Sequence, residues 1–109
     1  MSETAANVNS LTVYGTATTT SGTTAVSPTN FNQCDHVNFN NLSSDSIIFK
    51  TGPASVTVAF PTAGDAALSG TIVGPGQWVS CRKELAHTSY AVDSLTGSAL
   101  YAIQASNGP

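Results

Sequence analysis

The residues with the most chemical capacity in this chain are Cys34, Asp35 and His36 in direct succession, with Cys81 and His87 further along. Two thiols and two imidazoles are ligand types that zinc prefers, and a thiol beside an imidazole can also serve nucleophilic catalysis. The spacing speaks against both uses. Structural zinc sites bring ligands in pairs about two to four residues apart on a turn, whereas Cys81 and His87 are six apart with Leu85 between them. Cys34 and His36 would leave one strand face in parallel, where a nucleophile and its base must converge. The six acids, Glu3, Asp35, Asp45, Asp65, Glu84 and Asp93, fall mostly among turn residues, where Asp ordinarily accepts backbone N–H groups; glycoside hydrolysis needs two carboxyls facing across a cleft. The run Gly74-Pro75-Gly76-Gln77-Trp78-Val79 opens like a dinucleotide-binding glycine motif. Pro75 removes a backbone donor, Val79 stands where the third glycine should be, and no helical pattern follows, so the run reads as a turn into a strand. Phosphate-binding loops and the Gly-x-Ser-x-Gly nucleophile elbow do not occur. The expectation is a protein without metal or cofactor that is not an enzyme.

The aromatic residues offer a different kind of chemistry. Tyr14, Trp78, Tyr90 and Tyr101 present flat surfaces that stack on sugar rings or anchor protein interfaces. Sugar-binding faces usually carry two or three aromatics on one strand face, and a single Trp favours a protein contact. The candidate interface residues are Val8, Leu11, Tyr14, Trp78 and Tyr90.

These side chains must be positioned by strands. Turn signals such as Ser21-Gly22, Ser43-Ser44-Asp45, Gly52-Pro53, Gly74-Pro75-Gly76 and Thr96-Gly97 recur every eight to twelve residues, and the stretches between are rich in Val, Ile, Thr, Phe and Tyr. Candidate strands are 11–16, 23–26, 36–42, 46–51, 55–60, 70–73, 77–81, 89–92 and 99–104. Val37 and Phe39 alternate with Asn38 and Asn40, and Val56, Val58 and Phe60 alternate with Thr57 and Ala59, giving each strand one buried and one polar face. Leu100 and Ala102 oppose Tyr101 and Ile103, so this last strand is apolar on both faces. It is expected to be central in a two-layer core or covered by a partner. At most one helical turn is expected, at Arg82-Lys83-Glu84-Leu85. About eight short strands imply an all-β fold, an antiparallel β-sandwich or jelly roll, because one sheet that wide would leave its apolar face unpacked. Residues 1–10 lie outside the strand pattern and are expected to form a flexible N-terminal arm, with the β-sandwich domain spanning 11–109.

Composition narrows the function. Only 8% of the 109 residues are charged, against ~25% in an ordinary soluble domain, so the surface is polar but neutral and suits a protein that works packed against partners. The basic residues are Lys50, Arg82 and Lys83 alone, too few for the roughly six to ten phosphates of a nucleic-acid footprint. There is no run of 18 or more apolar residues and no signal-peptide pattern at the start, so neither a membrane span nor ordinary export is expected. The Asn41-Leu42-Ser43 sequon then has no glycosylation role. A bond between Cys34 and Cys81 would close a loop of about 46 residues, worth roughly 4 kcal/mol, but a reducing cytosol favours two free, packed thiols.

Residues 37–109 resemble the small β-sandwich structural proteins of tailed bacteriophages, among them capsid decoration and cement proteins. The likeness lies in the order of Asn40 to Lys50, a strand ending Phe60-Pro61, Gly74 to Val79, Tyr90-Ala91-Val92 and Thr96 to Ile103. It covers about two thirds of the chain, and no single element of it is diagnostic. The resemblance implies a virion protein made in the host cytoplasm that sits on the outer capsid surface. Its partner would be the major capsid protein, whose neighbouring subunits it bridges, as a homo-oligomer or as copies meeting at symmetry axes. The alternatives are a phage tail or fibre module and a carbohydrate-binding module.

Overall fold

The structure is a computed structural model that describes residues 12–18, 24–25, 30–61 and 70–107. The expected arm at 1–10, with Val8, and the neighbouring Leu11 lie outside the described residues. Among the described residues eight strands follow one another: β1 (Val13–Ala17), β2 (Thr24–Ala25), β3 (His36–Asn41), β4 (Ile47–Gly52), β5 (Thr71–Val73), β6 (Trp78–Arg82), β7 (Ser89–Ser94) and β8 (Ala99–Ser106). They form two four-stranded antiparallel sheets, one in the order β1-β8-β3-β6 and the other β2-β7-β4-β5. Each strand of the first half pairs with its mirror in the second: β1 with β8, β2 with β7, β3 with β6 and β4 with β5. The chain is thus one long hairpin rolled over so that only the β4–β5 connection stays within a sheet. This is the jelly-roll order, built from two Greek keys.

Alternation along the strands decides what is inside. Val37, Phe39, Ile47, Phe49, Val73, Tyr90, Val92, Tyr101 and Ile103 point between the sheets and form one cluster. At its centre Phe39 is stacked between Phe49, with centroids 4.4 Å apart, and Tyr101, 5.2 Å away. The Tyr101 hydroxyl meets that of Tyr90 at 2.9 Å, so each buried phenol has a partner. Gly15 makes room for this pair: a Cβ there would lie 2.5 Å from the Tyr101 oxygen. The Gly-Pro-Gly run is the expected turn. Gly76 has φ +69°, and the Gln77 N–H donates to the Gly74 carbonyl, the type II arrangement with Pro75 and Gly76 at the two central positions.

Two connections hold one end of the sandwich together through Asn41 and Asp45. The Asn41 amide donates to the carbonyls of Asp45 and Val73, and its oxygen accepts from the Ser43 N–H and hydroxyl. The Asp45 carboxylate accepts the N–H groups of Ser46, Thr96 and Gly97, joining the β3–β4 and β7–β8 connections.

Two sequence expectations are corrected. Among the described residues the helical turn is a 3-10 turn at Phe31–Gln33, which buries Phe31, and not at Arg82 to Leu85. Residues 55–60 form no strand. Val56, Val58 and Phe60 do alternate inward, but they pack on Ile48 and Ala91, on the outer face of the β2-β7-β4-β5 sheet. A segment lying across a face cannot join a ladder, which requires lateral pairing at an edge. This segment, 53–61, is a strap that covers one sheet.

Candidate functional site

The four reactive side chains that the sequence offered are placed apart in role. Cys34 is buried and its thiol donates to the Asn30 carbonyl; Cys81 is half-buried, and the two are not joined in a disulfide. Burial pushes the Cys81 thiol above its ordinary range, the opposite of what a nucleophilic thiolate needs. His36 lies beside the Asp35 carboxylate at 2.8 Å, and His87 is bonded to the Thr51 hydroxyl at 2.8 Å. Among the described residues no three His, Cys, Asp or Glu side chains gather closely enough to hold a metal ion.

Of the three basic residues, Lys83 is not a surface charge. It is 2% exposed, with its ammonium donating to the carbonyls of Glu84 and His87 and lying 4.9 Å over the Phe31 ring. Burial pulls it below the ordinary lysine range, while Cys34 and Asp35 pull it back. Its role is to fold the β6–β7 corner, where the His87 N–H also closes a turn on Glu84. A long stem that could tuck under a ring was the available signal, and it is a weak one. The exposed cations are therefore Lys50 and Arg82.

The two outer faces of the sandwich differ. The strap covers one over Ile48 and Ala91, leaving Ile72 of β5 45% exposed at its edge; among the described residues no segment lies over the other, that of the β1-β8-β3-β6 sheet. The register places Tyr14, Ala102, Asn40 and Trp78 in one row across this open face. Gln104, Asn38 and Ser80 form the next row, and Ser106, His36 and Arg82 the one beyond. On the other side of the aromatic row Leu100 pairs with Thr16, and the Leu42 N–H donates to the Leu100 carbonyl. Tyr14 and Trp78 are each 68% exposed, and Leu42, Leu95 and Leu100 are about half exposed, at 49%, 53% and 47%. Leu95 stands on the β7–β8 connection at the same end, tied to Ser46. Of the chain's eight aromatics, five are buried and Phe60, on the strap, packs half-buried against the sheet beneath it, so the two rings left in solvent share one row.

Two of the sequence candidates, Tyr14 and Trp78, are thus brought onto one face. Tyr90 is not: it is 1% exposed and faces the core, because in β7 it alternates with Ala91, which takes the outer side. Leu42 and Leu95 were missed, because each lies just beyond a strand end, where alternation no longer states a face; alternation did set Leu100 beside Ala102, on the face opposite Tyr101 and Ile103.

No family model and no curated protein matches the chain. Among solved structures it is similar to a chain described under "Bacillus endospore appendages form a novel family of disulfide-linked pili". The two are 12% identical with a TM-score of 0.43, over 94% of this chain and 89% of that one. A likeness this distant says nothing of what the chain binds.

Proposed function

We propose that this chain is a virion structural protein of the decoration or cement type, which binds the outer surface of a capsid and bridges neighbouring shell subunits. The observation that supports it is the inequality of the two faces. A domain that covers one sheet with its own strap while leaving Tyr14, Leu42, Trp78 and Leu100 bare on the other has a surface suited to a partner. The patch has the make-up of a protein contact, apolar anchors within a neutral rim of Asn38, Asn40, Ser80 and Gln104. The partner is the major capsid protein in its assembled form. One standard contact occupies only about 800 Å² per partner, and binding across two or three subunits can raise apparent affinity by ~10² to 10⁴.

The test is co-sedimentation with capsids lacking this protein, beside pull-down with the unassembled subunit and a panel of glycans. Retention on the shell should far exceed binding to the subunit. It should survive moderate salt, because little charge is involved, and fall at least about tenfold on Trp78→Ala or Leu100→Ser. Equal binding to subunit and shell would remove the bridging role. A second reading has an observation of its own: two exposed rings in one row with amide side chains between and beside them also suit an uncharged sugar chain. Binding to glycans alone would decide for that reading.

A further inference from the structure

The strap itself carries an inference that goes beyond the capsid reading and does not depend on it. Residues 53–61 have no place in either ladder. What lies beneath them is apolar: Ile48 and Ala91 are fully buried, and Val56 and Val58 are 6% and 5% exposed. Within this patch stands Asp93, the outward residue of β7 opposite Ile48. It is 7% exposed. Its carboxyl accepts the backbone N–H groups of Phe60, on the strap, and of Ser94, while its Oδ1 is buried with no hydrogen-bond partner.

From this geometry we propose that the strap is a closable cover over the outer face of the β2-β7-β4-β5 sheet, and that Asp93 is the proton-controlled latch that sets how firmly it closes. The physical cause is the mismatch between a carboxylate and its surroundings. With the strap shut, the ionised group loses water and gains one N–H donor, that of Phe60, beside the Ser94 N–H of its own strand, leaving one oxygen unsatisfied; the neutral acid bears that environment far better. Opening the strap returns water to the carboxylate. Among the described residues neighbouring charge does not cancel the effect. From β4 the charged group on this face is Lys50, which is exposed and opposite Ala91; the strap and β5 contribute no titratable side chain, and β7 presents Ala91 and Ser89 on that side. Burial accordingly raises the Asp93 pKa above its ordinary 3.8, the two N–H groups opposing the rise.

The direction follows from linkage. The closed state holds the proton more tightly than the open one, so closure is firmest in acid and weakens as pH rises from the ordinary carboxylate range through the raised value. Each unit by which closure raises the pKa changes the closed-to-open ratio about tenfold across that window. Opening exposes Ile48 and Ala91 as a second apolar face, opposite the one that is always bare.

Hydrogen exchange of the whole protein, read from pH 4 to 8 as protection factors corrected for intrinsic rates, tests this. Amides 54–60 should lose protection as pH rises, while those of β3 and β8 stay constant, and Asp93→Asn should make the strap's protection independent of pH. Val58→Ala serves as the second variant: it should lower strap protection at every pH and leave the slope unchanged. A strap whose protection does not vary with pH, or the same slope in Asp93→Asn, overturns the proposal.

Discussion

Asp45 shows how one carboxylate can set the geometry of a whole end of the sandwich. It accepts N–H groups from both ends of a separation of some fifty residues, at Ser46, Thr96 and Gly97. The Thr96 N–H leads in holding its pKa below the ordinary 3.8, against the opposing effect of burial. A carboxylate whose pKa is depressed by folding contributes stability above its unfolded pKa and loses it as pH falls through the folded value. Asp45→Asn should therefore lower the melting temperature at neutral pH and flatten the acid limb of a melting-temperature profile below about pH 4. Asp93 has the opposite sign, so Asp93→Asn should relieve a penalty that grows with pH. Melts of the two single variants from pH 2.5 to 8 separate these contributions. Asp45 was legible in the sequence as a turn acceptor between small residues, and Asp93 was not, because nothing in Tyr-Ala-Val-Asp-Ser says that a strap will cover the acid. The same limit applies to Lys83, whose burial depends on Phe31, about fifty residues away in the chain.

Among the elements, β1 and β8 meet where space is least. Gly15 faces Tyr101 across the register, and a Cβ at this position would crowd the Tyr101 hydroxyl oxygen at 2.5 Å, so the ring would have to shift. Gly15→Ala should cost about 1–3 kcal/mol by forcing the phenol aside, and denaturant melts would show it as a lower midpoint with unchanged slope. Phe39→Ala, which empties the middle of the three-ring stack, should cost about 3–5 kcal/mol in the same assay. Alternation located the inward positions of β3 correctly, since Val37 and Phe39 are in the core, whereas β8, apolar on both faces, did not say that Tyr101 and Ile103 would be the inward pair. Alternation also found the buried side of 55–60. What alternation cannot state is whether an extended segment finds its partner at a sheet edge or on a sheet face, because both bury every second residue. Hence the strap was read as a strand, and Tyr90 was read as exposed although Ala91 takes the outer side.

At the scale of the whole molecule, the all-β class and the paired layers were legible, because eight short strands separated by turn residues allow few other packings. The order of strands was not, since pairing β1 with β8 joins residues that no local pattern connects. That pairing also governs how the chain reaches its structure. β8 is flanked by β1 on one side and β3 on the other, so the first sheet has a gap at its centre until the last strand arrives. A chain cut after Thr96 should fail to fold, as circular dichroism and dispersion of amide resonances would report. During synthesis β1 and the β8-facing edge of β3 stay unpaired, and the first sheet closes only once residues 99–106 have left the ribosome. With most contacts joining distant parts of the chain, that search belongs to the slow class of milliseconds to seconds. Through this interval the bare β1 and β3 edges can pair with other chains as readily as with β8, so the yield of native protein should fall with the rate at which the chains are made.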